Sequence, residues 1–253
     1  MVSIIESWSI EVGRIVLLFW EAVRSVVRNR PNLKDVIYQL HFVGVKSQSV
    51  VLITGAFTGM VLAAQTYFQF HKVRMDTATL AVVSVSMCSE LGPVLTALMV
   101  AGRVGAAMAA ELGTMRVTEQ IDALRTLATH PIDYLVVPRL LATIIALPLL
   151  TTEAIVCGIG AAYGVSVVLL RIDATYSWAN MLRYSSPESV LTGIIKAFIF
   201  GGIISTIGCY KGMMCGEGAE GVGKATTEAV VYSSISILIS NFFLTLFPSR
   251  VLY

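Results

Sequence analysis

Long apolar runs, each interrupted by at most one charged residue, set the plan of this 253-residue chain. No charge falls between Lys46 and His71, and none between Glu228 and Arg250. Between Asp76 and Arg103 the only charge is Glu90, between Arg139 and Arg171 it is Glu153, and between Glu188 and Lys211 it is Lys196. About 20 apolar residues in a helix cross the hydrocarbon core of a bilayer. Five spans are therefore predicted, over residues 47–70, 77–102, 140–170, 189–210 and 229–249. Lipid offers no hydrogen bonds, so each span is expected to be helical. The predicted fold class is an all-α, polytopic membrane protein, a single domain over residues 1–253.

Residues 1–30 follow a different rule. Apolar side chains recur at Trp8, Val12, Ile15, Val16, Phe19 and Val23, with Glu11, Arg14, Glu21 and Arg24 on the other face. That pattern predicts an amphipathic helix lying in the membrane interface, with Trp8 and Trp20 at headgroup level. Acidic Glu6 and Glu11 argue against a cleaved signal peptide. Arg30-Pro31 is expected to end the helix, and the polar stretch to Lys46 to turn the chain into the membrane.

Polar residues inside the spans are the candidate chemistry. Gln65, Tyr67 and Gln69 sit at the outer rim of the first span. Gly55 and Gly59 of that span form a G-x-x-x-G pair, which permits close helix approach but is common by chance. A carboxylate at mid-membrane costs about 2.5–3.5 kcal/mol on insertion scales, so Glu90 is expected to face protein or water. Gly92 and Pro93 follow it, and Pro93 both lacks an N–H and crowds the carbonyl of Ser89, predicting a kink. Lys196 either snorkels outward or pairs with an acid. Asn241 is the one strongly polar group well inside the fifth span.

Beyond Arg103 the small residues of GAAMAAE continue a helix out of lipid. Thr118 is expected to cap a new helix whose first turn carries Glu119 and Asp122. The whole segment 111–127 has an apolar stripe at Leu112, Met115, Ile121, Leu124 and Leu127 beside a charged face. Either a solvated loop helix or a docking surface fits that pattern. Span three is longer than one crossing requires, and residues 171–187 read as an interfacial loop or short helix. The glycine-rich stretch Gly216 to Glu228 reads as a loop, with Thr226 and Thr227 as caps for span five.

Composition narrows the function. The chain is 56% hydrophobic and 13% charged, with a mean hydropathy of +0.78, which excludes a soluble globular protein. A net charge of +2 without a basic, aromatic-interleaved patch excludes a nucleic-acid binder. The basic residues concentrate on the side that holds the N-terminus; only Lys72, Arg74, Arg171, Arg183 and Arg250 fall on the other, with Lys196 inside a span. The positive-inside rule then sets the N-terminus in the cytoplasm and the C-terminus outside. The four cysteines show no C-x-x-C spacing and read as small buried hydrophobes. His41, His71 and His130 all lie outside the predicted spans, so no intramembrane nucleophile has a base, and no metal-ligand cluster is apparent. Gly218 to Lys224 matches G-x-x-x-x-G-K, but Ala225 stands where a phosphate loop needs Ser or Thr. No catalytic residue and no metal site are assigned. An ion-coupled carrier or a scaffold remains an alternative to a nucleotide-driven permease; five unequal spans show no internal repeat.

The stretch Glu90 to Leu124, ELGPVLTALMVAGRVGAAMAAELGTMRVTEQIDAL, together with Leu147 to Leu150 and Gly221 to Thr227, resembles the MlaE/YrbE permease family, membrane subunits of bacterial phospholipid ABC transporters. That resemblance implies a homodimer in the bacterial inner membrane, two cytoplasmic ATPase subunits, a periplasmic MCE-domain hexamer and a small ATPase-associated regulatory subunit. ATP and Mg would be bound by the ATPase, with no cofactor on this chain, and the function would be maintenance of outer-membrane lipid asymmetry or MCE-type import of sterols or other hydrophobic molecules. It further implies a lipid cavity at the dimer interface touched by Gln65, Glu90, Leu91, Lys196 and Asn241. Segment 111–127 becomes a coupling helix, with Glu111, Arg116, Thr118, Glu119, Gln120 and Asp122 facing the ATPase. Familiar members carry an arginine before the glutamate and an acid late in span five, where this chain has Ser89 and Asn241.

Overall fold

The computed structural model describes the backbone of residues 2–28 and 32–252, and side chains within 9–28 and 32–246. The Trp8 side chain, the Arg30-Pro31 stop and the side chains at the far end of span five lie outside what is described. Among the described residues the structure is helical, without strands. In chain order the elements are α1 (Val2–Arg28), α2 (Leu33–His71), α3 (Asp76–Val117), α4 (Gln120–Thr126), α5 (Ile132–Leu169), α6 (Ala174–Tyr184), α7 (Pro187–Met213) and α8 (Gly218–Leu252). Helices α2, α3, α5, α7 and α8 are long and apolar enough to span a membrane. Helices α5 and α7 are the most enclosed, while α2 and α8 lie at the edges.

Small residues make this packing possible. A Cβ on Gly55 would lie 2.7 Å from the carbonyl oxygen of Ala154, and one on Gly59 would overlap that of Gly158. The G-x-x-x-G pair is thus the seam between α2 and α5, where backbones nearly touch. Gly193 of α7 does the same against α3, where a Cβ would overlap the Cys88 carbonyl oxygen.

Several elements run longer than the hydropathy pattern suggests. Asn32, not Lys46, begins the first span: its side chain accepts the Lys34 N–H at 3.2 Å, and the polar stretch expected to be a turn is helical. The glycine-rich stretch expected to be a loop is the first part of α8, starting at Gly218 with a φ of +72° that suits glycine. Gly221 there presses on the Gly216 carbonyl oxygen, and Val222 packs on Gly113. Tertiary contact invisible in a composition window therefore supports the helix. Thr226 and Thr227 donate back to the Gly223 carbonyl at 2.7 and 3.1 Å instead of capping. Helix α6 fills the predicted interfacial segment, capped by Asp173, which accepts the Tyr176 N–H at 3.0 Å.

Five turns adopt π geometry: His41–Val45, Met87–Leu91, Ala101–Gly105, Ile132–Val136 and Val165–Leu169. Each widens its helix by one residue, a feature frequent at functional positions. The turn at Met87–Leu91 carries Glu90 and ends just before Pro93. All four cysteines are free, with Cys88 and Cys209 buried. Cys215, beyond α7, donates its S–H to the Gly113 carbonyl at 3.4 Å, and burial raises its pKa against the lowering pull of Arg116.

Candidate functional site

Glu90 and Lys196 are 106 residues apart in the chain and 2.6 Å apart in space. The Lys196 side chain is 1% exposed and that of Glu90 36%, so the lysine is enclosed and the acid borders open space. Of the two fates open to Lys196, the fold selects pairing. Its ammonium also donates to the Ser89 carbonyl at 3.0 Å and to the Thr245 hydroxyl at 2.9 Å. Three donors meet three acceptors, as an enclosed ammonium requires.

The Ser89 carbonyl is available because of Pro93. In an α-helix that oxygen would accept the N–H of the residue four positions on, and proline has none. Lysine takes the place of the missing amide. The other Glu90 oxygen accepts Nδ2 of Asn241 at 3.0 Å. Thr245 Oγ1 stands 2.9 Å from Glu90 Oε1 and 2.9 Å from the Asn241 carbonyl, either of which can take its proton. The centre joins α3, α7 and α8 with one positive and one negative charge. Asn241 Oδ1 is buried without a hydrogen-bond partner among the described residues.

Between α1, α7 and α8 lies a groove of about 550 Å³ that none of the residues of this centre lines. Val16 and Phe19 of α1, Phe198 and Ile203 of α7, and Ser236 and Ser240 of α8 form its walls. The lining is almost wholly apolar and suits hydrocarbon.

Of the remaining residues expected at a lipid cavity, Leu91 packs among Leu80, Val83, Met87 and Ala162 at the other side of α3. Gln65 is exposed on α2 and takes no part in the polar centre. Thr245 belongs to the centre although the hydropathy pattern does not mark it; its place four residues after Asn241 puts both on one helical face.

At the far end of α3 the chain leaves the bundle. Thr118 closes α3, donating its hydroxyl to the Thr114 carbonyl at 2.8 Å, and so does not cap α4. Glu119 then takes a left-handed φ of 58° and turns the chain into the short helix α4. The expected single segment 111–127 is therefore the last turns of α3, a sharp corner and α4. Arg116 Nη1 donates to both Asp122 oxygens at 3.0 and 2.9 Å, bracing that corner, and Arg125 adds a third bond to Asp122 at 2.9 Å. Glu111 is drawn inward to Arg139 of α5 at 3.0 Å. Glu119 and Gln120 remain exposed at the tip, with no side-chain partner among the described residues.

The geometry thus joins a neutralised polar centre to an exposed charged corner through one helix, α3. A family model described as Permease MlaE matches residues 36–247. The chain belongs to the MlaE permease family. A protein of Rickettsia felis described as a probable ABC transporter permease is 48% identical over 234 residues, 92% of this chain and 90% of the relative. The Haemophilus influenzae protein described as the intermembrane phospholipid transport system permease MlaE is 34% identical over 235 residues, again 92% and 90% of the two chains. The chloroplast protein TRIGALACTOSYLDIACYLGLYCEROL 1 of Arabidopsis thaliana is 37% identical over 227 residues, 90% of this chain and 65% of that protein. The chain is thus a permease component of an ABC transporter of the MlaE type, a non-catalytic role.

Proposed function

We propose that this permease carries phospholipid through the inner membrane of a bacterium as one half of a homodimer. On this reading the N-terminus is cytoplasmic and the C-terminus periplasmic. Two ATPase subunits, binding ATP and Mg and accompanied by a small regulatory subunit, dock on the exposed corner at Glu119 and Gln120. A periplasmic MCE-domain hexamer exchanges lipid with the permease, and the system maintains outer-membrane lipid asymmetry.

The observation that carries the reading is the Glu90–Lys196–Asn241 centre among three helices of membrane-spanning length, with Glu90 on the helix that leads into the charged corner. A zwitterionic headgroup presents one phosphate and one ammonium, and the centre presents one ammonium, one carboxylate and the free Oδ1 of Asn241. Exchange of partners between the two pairs conserves charge, which limits the cost of opening the buried ion pair. The apolar groove between α1, α7 and α8 offers acyl chains a wall. Movement of the corner on nucleotide binding turns α3 and shifts Glu90 against Lys196; such coupling requires different contacts in two states.

The test is transfer of a fluorescent phospholipid between proteoliposomes containing the permease with or without its ATPase. ATP-dependent transfer that is lost in Glu90→Ala, with the complex still assembled, is the expected result. Transfer that is indifferent to ATP, or normal in Glu90→Ala, overturns the assignment; ATP-dependent movement of a sterol alone replaces the substrate.

A further inference from the structure

At the end of α7 remote from Lys196, a second cavity of about 710 Å³ separates α1 from the hairpin between α3 and α5. Its walls carry Arg14, Leu17 and Glu21 of α1, Arg116 and Arg125 of the hairpin, and Met214 just beyond α7. The charges here are unequal. Arg116 and Arg125 share the single carboxylate of Asp122, and Arg14 has no ion-pair or hydrogen-bond partner among the described residues. Three guanidiniums and the His130 ring therefore line the cavity with a single lining carboxylate, Glu21, while Asp122 bonds two of the three arginines. The wall is also divided by polarity, because Leu17 and Met214 stand beside the arginines and are 67% and 63% exposed.

An occupant must satisfy both halves: an anionic group with oxygens for planar guanidiniums, and hydrocarbon for the apolar wall. A soluble anion meets only the first condition. Helix α1 supplies the location, since Val12, Val16, Leu17 and Trp20 are all more than half exposed along an amphipathic helix suited to the membrane surface.

We propose that this cavity binds the headgroup of an anionic phospholipid of the adjoining leaflet, held as a resident constituent and distinct from any transported lipid. The phosphodiester lies against Arg14 and the Arg116–Arg125 pair, and the acyl chains descend past Leu17. So placed, the lipid ties α1 to the corner that follows α3. The inference does not depend on what the permease transports.

Native mass spectrometry of the purified full chain, with its co-purified partner subunits, tests the site by titration with dioleoylphosphatidylglycerol, dioleoylphosphatidylcholine and inorganic phosphate. Phosphatidylglycerol is expected to bind at one site per chain, about tenfold more tightly than phosphatidylcholine and without displacement by millimolar phosphate. Arg14→Ala is expected to weaken it about tenfold, and Arg14→Lys to recover most of the loss. Arg24→Ala, an exposed change on the same helix outside the cavity, leaves it unaltered. Unchanged affinity in Arg14→Ala, or equal weakening in Arg24→Ala, overturns the site. Displacement by phosphate makes it an anion site unrelated to lipid, and binding only after the partners are stripped makes it a protein seat; either outcome also overturns the proposal.

Discussion

Lys196 occupies the hydrogen-bonding vacancy at the Ser89 carbonyl, 3.0 Å away, that Pro93 creates one helical turn further on. Proline, π turn and lysine therefore act together. Pro93→Ala restores an N–H that competes for the Ser89 oxygen. That variant is expected to fold with an unfolding temperature no lower than the parent, followed by tryptophan fluorescence, and to transfer lipid more slowly. Parental transfer rates would separate Pro93 from transport.

Loss of one partner of the central ion pair should cost more than loss of both. Lys196→Met strands the Glu90 carboxylate and is expected to destabilise the protein by about 3 kcal/mol. Combining Lys196→Met with Glu90→Leu removes the stranded charge and should recover most of that stability while leaving transfer abolished. A double-mutant cycle on thermal unfolding measures the coupling. Additive single effects would mean that the two side chains do not depend on each other.

The glycines divide into seams and free surfaces. Gly59→Ala and Gly193→Ala force a methyl into facing backbone oxygens, and each is expected to destabilise by about 1–3 kcal/mol. Gly160 has nothing within 4 Å of its would-be Cβ, so Gly160→Ala should be neutral or stabilising by less than about 1 kcal/mol. Equal melting shifts for all three would contradict the helix seams described above.

Glu119 offers a way to separate charge from backbone. Its left-handed φ of 58° suits glycine, so Glu119→Gly keeps the corner while removing the carboxylate. Both Glu119→Gly and Glu119→Lys are expected to reduce ATPase co-purification, with Glu119→Lys the more severe and membrane insertion intact in both. Retention of ATPase by Glu119→Lys would move the docking surface elsewhere.

The number and order of spans were legible because bilayer thickness imposes a length that charge-free runs report directly. Glu90, Lys196 and Asn241 were legible as costly polar residues, yet their assembly was not, since α3, α7 and α8 meet through contacts over 100 residues apart for the first pair. Thr245 gave no signal because a hydroxyl in a helix ordinarily bonds to its own backbone. The helical extension of α8 through Gly221 and Gly223 ran against glycine's poor propensity, which the Gly216 and Gly113 contacts outweigh. Thr118 and Glu119 reversed their expected roles for a local reason: the hydroxyl found the Thr114 carbonyl, and the next residue turned left-handed.

Helix α3 contains two of the widened turns, Met87–Leu91 beside Lys196 and Ala101–Gly105 below it. Each stores one surplus residue. Reversion of such a turn to α geometry passes that residue along the axis, an advance of about 1.5 Å with a rotation of about 100°. Helix α3 can therefore change its length and its phase at two separate places while the remainder of its hydrogen-bond ladder stays closed.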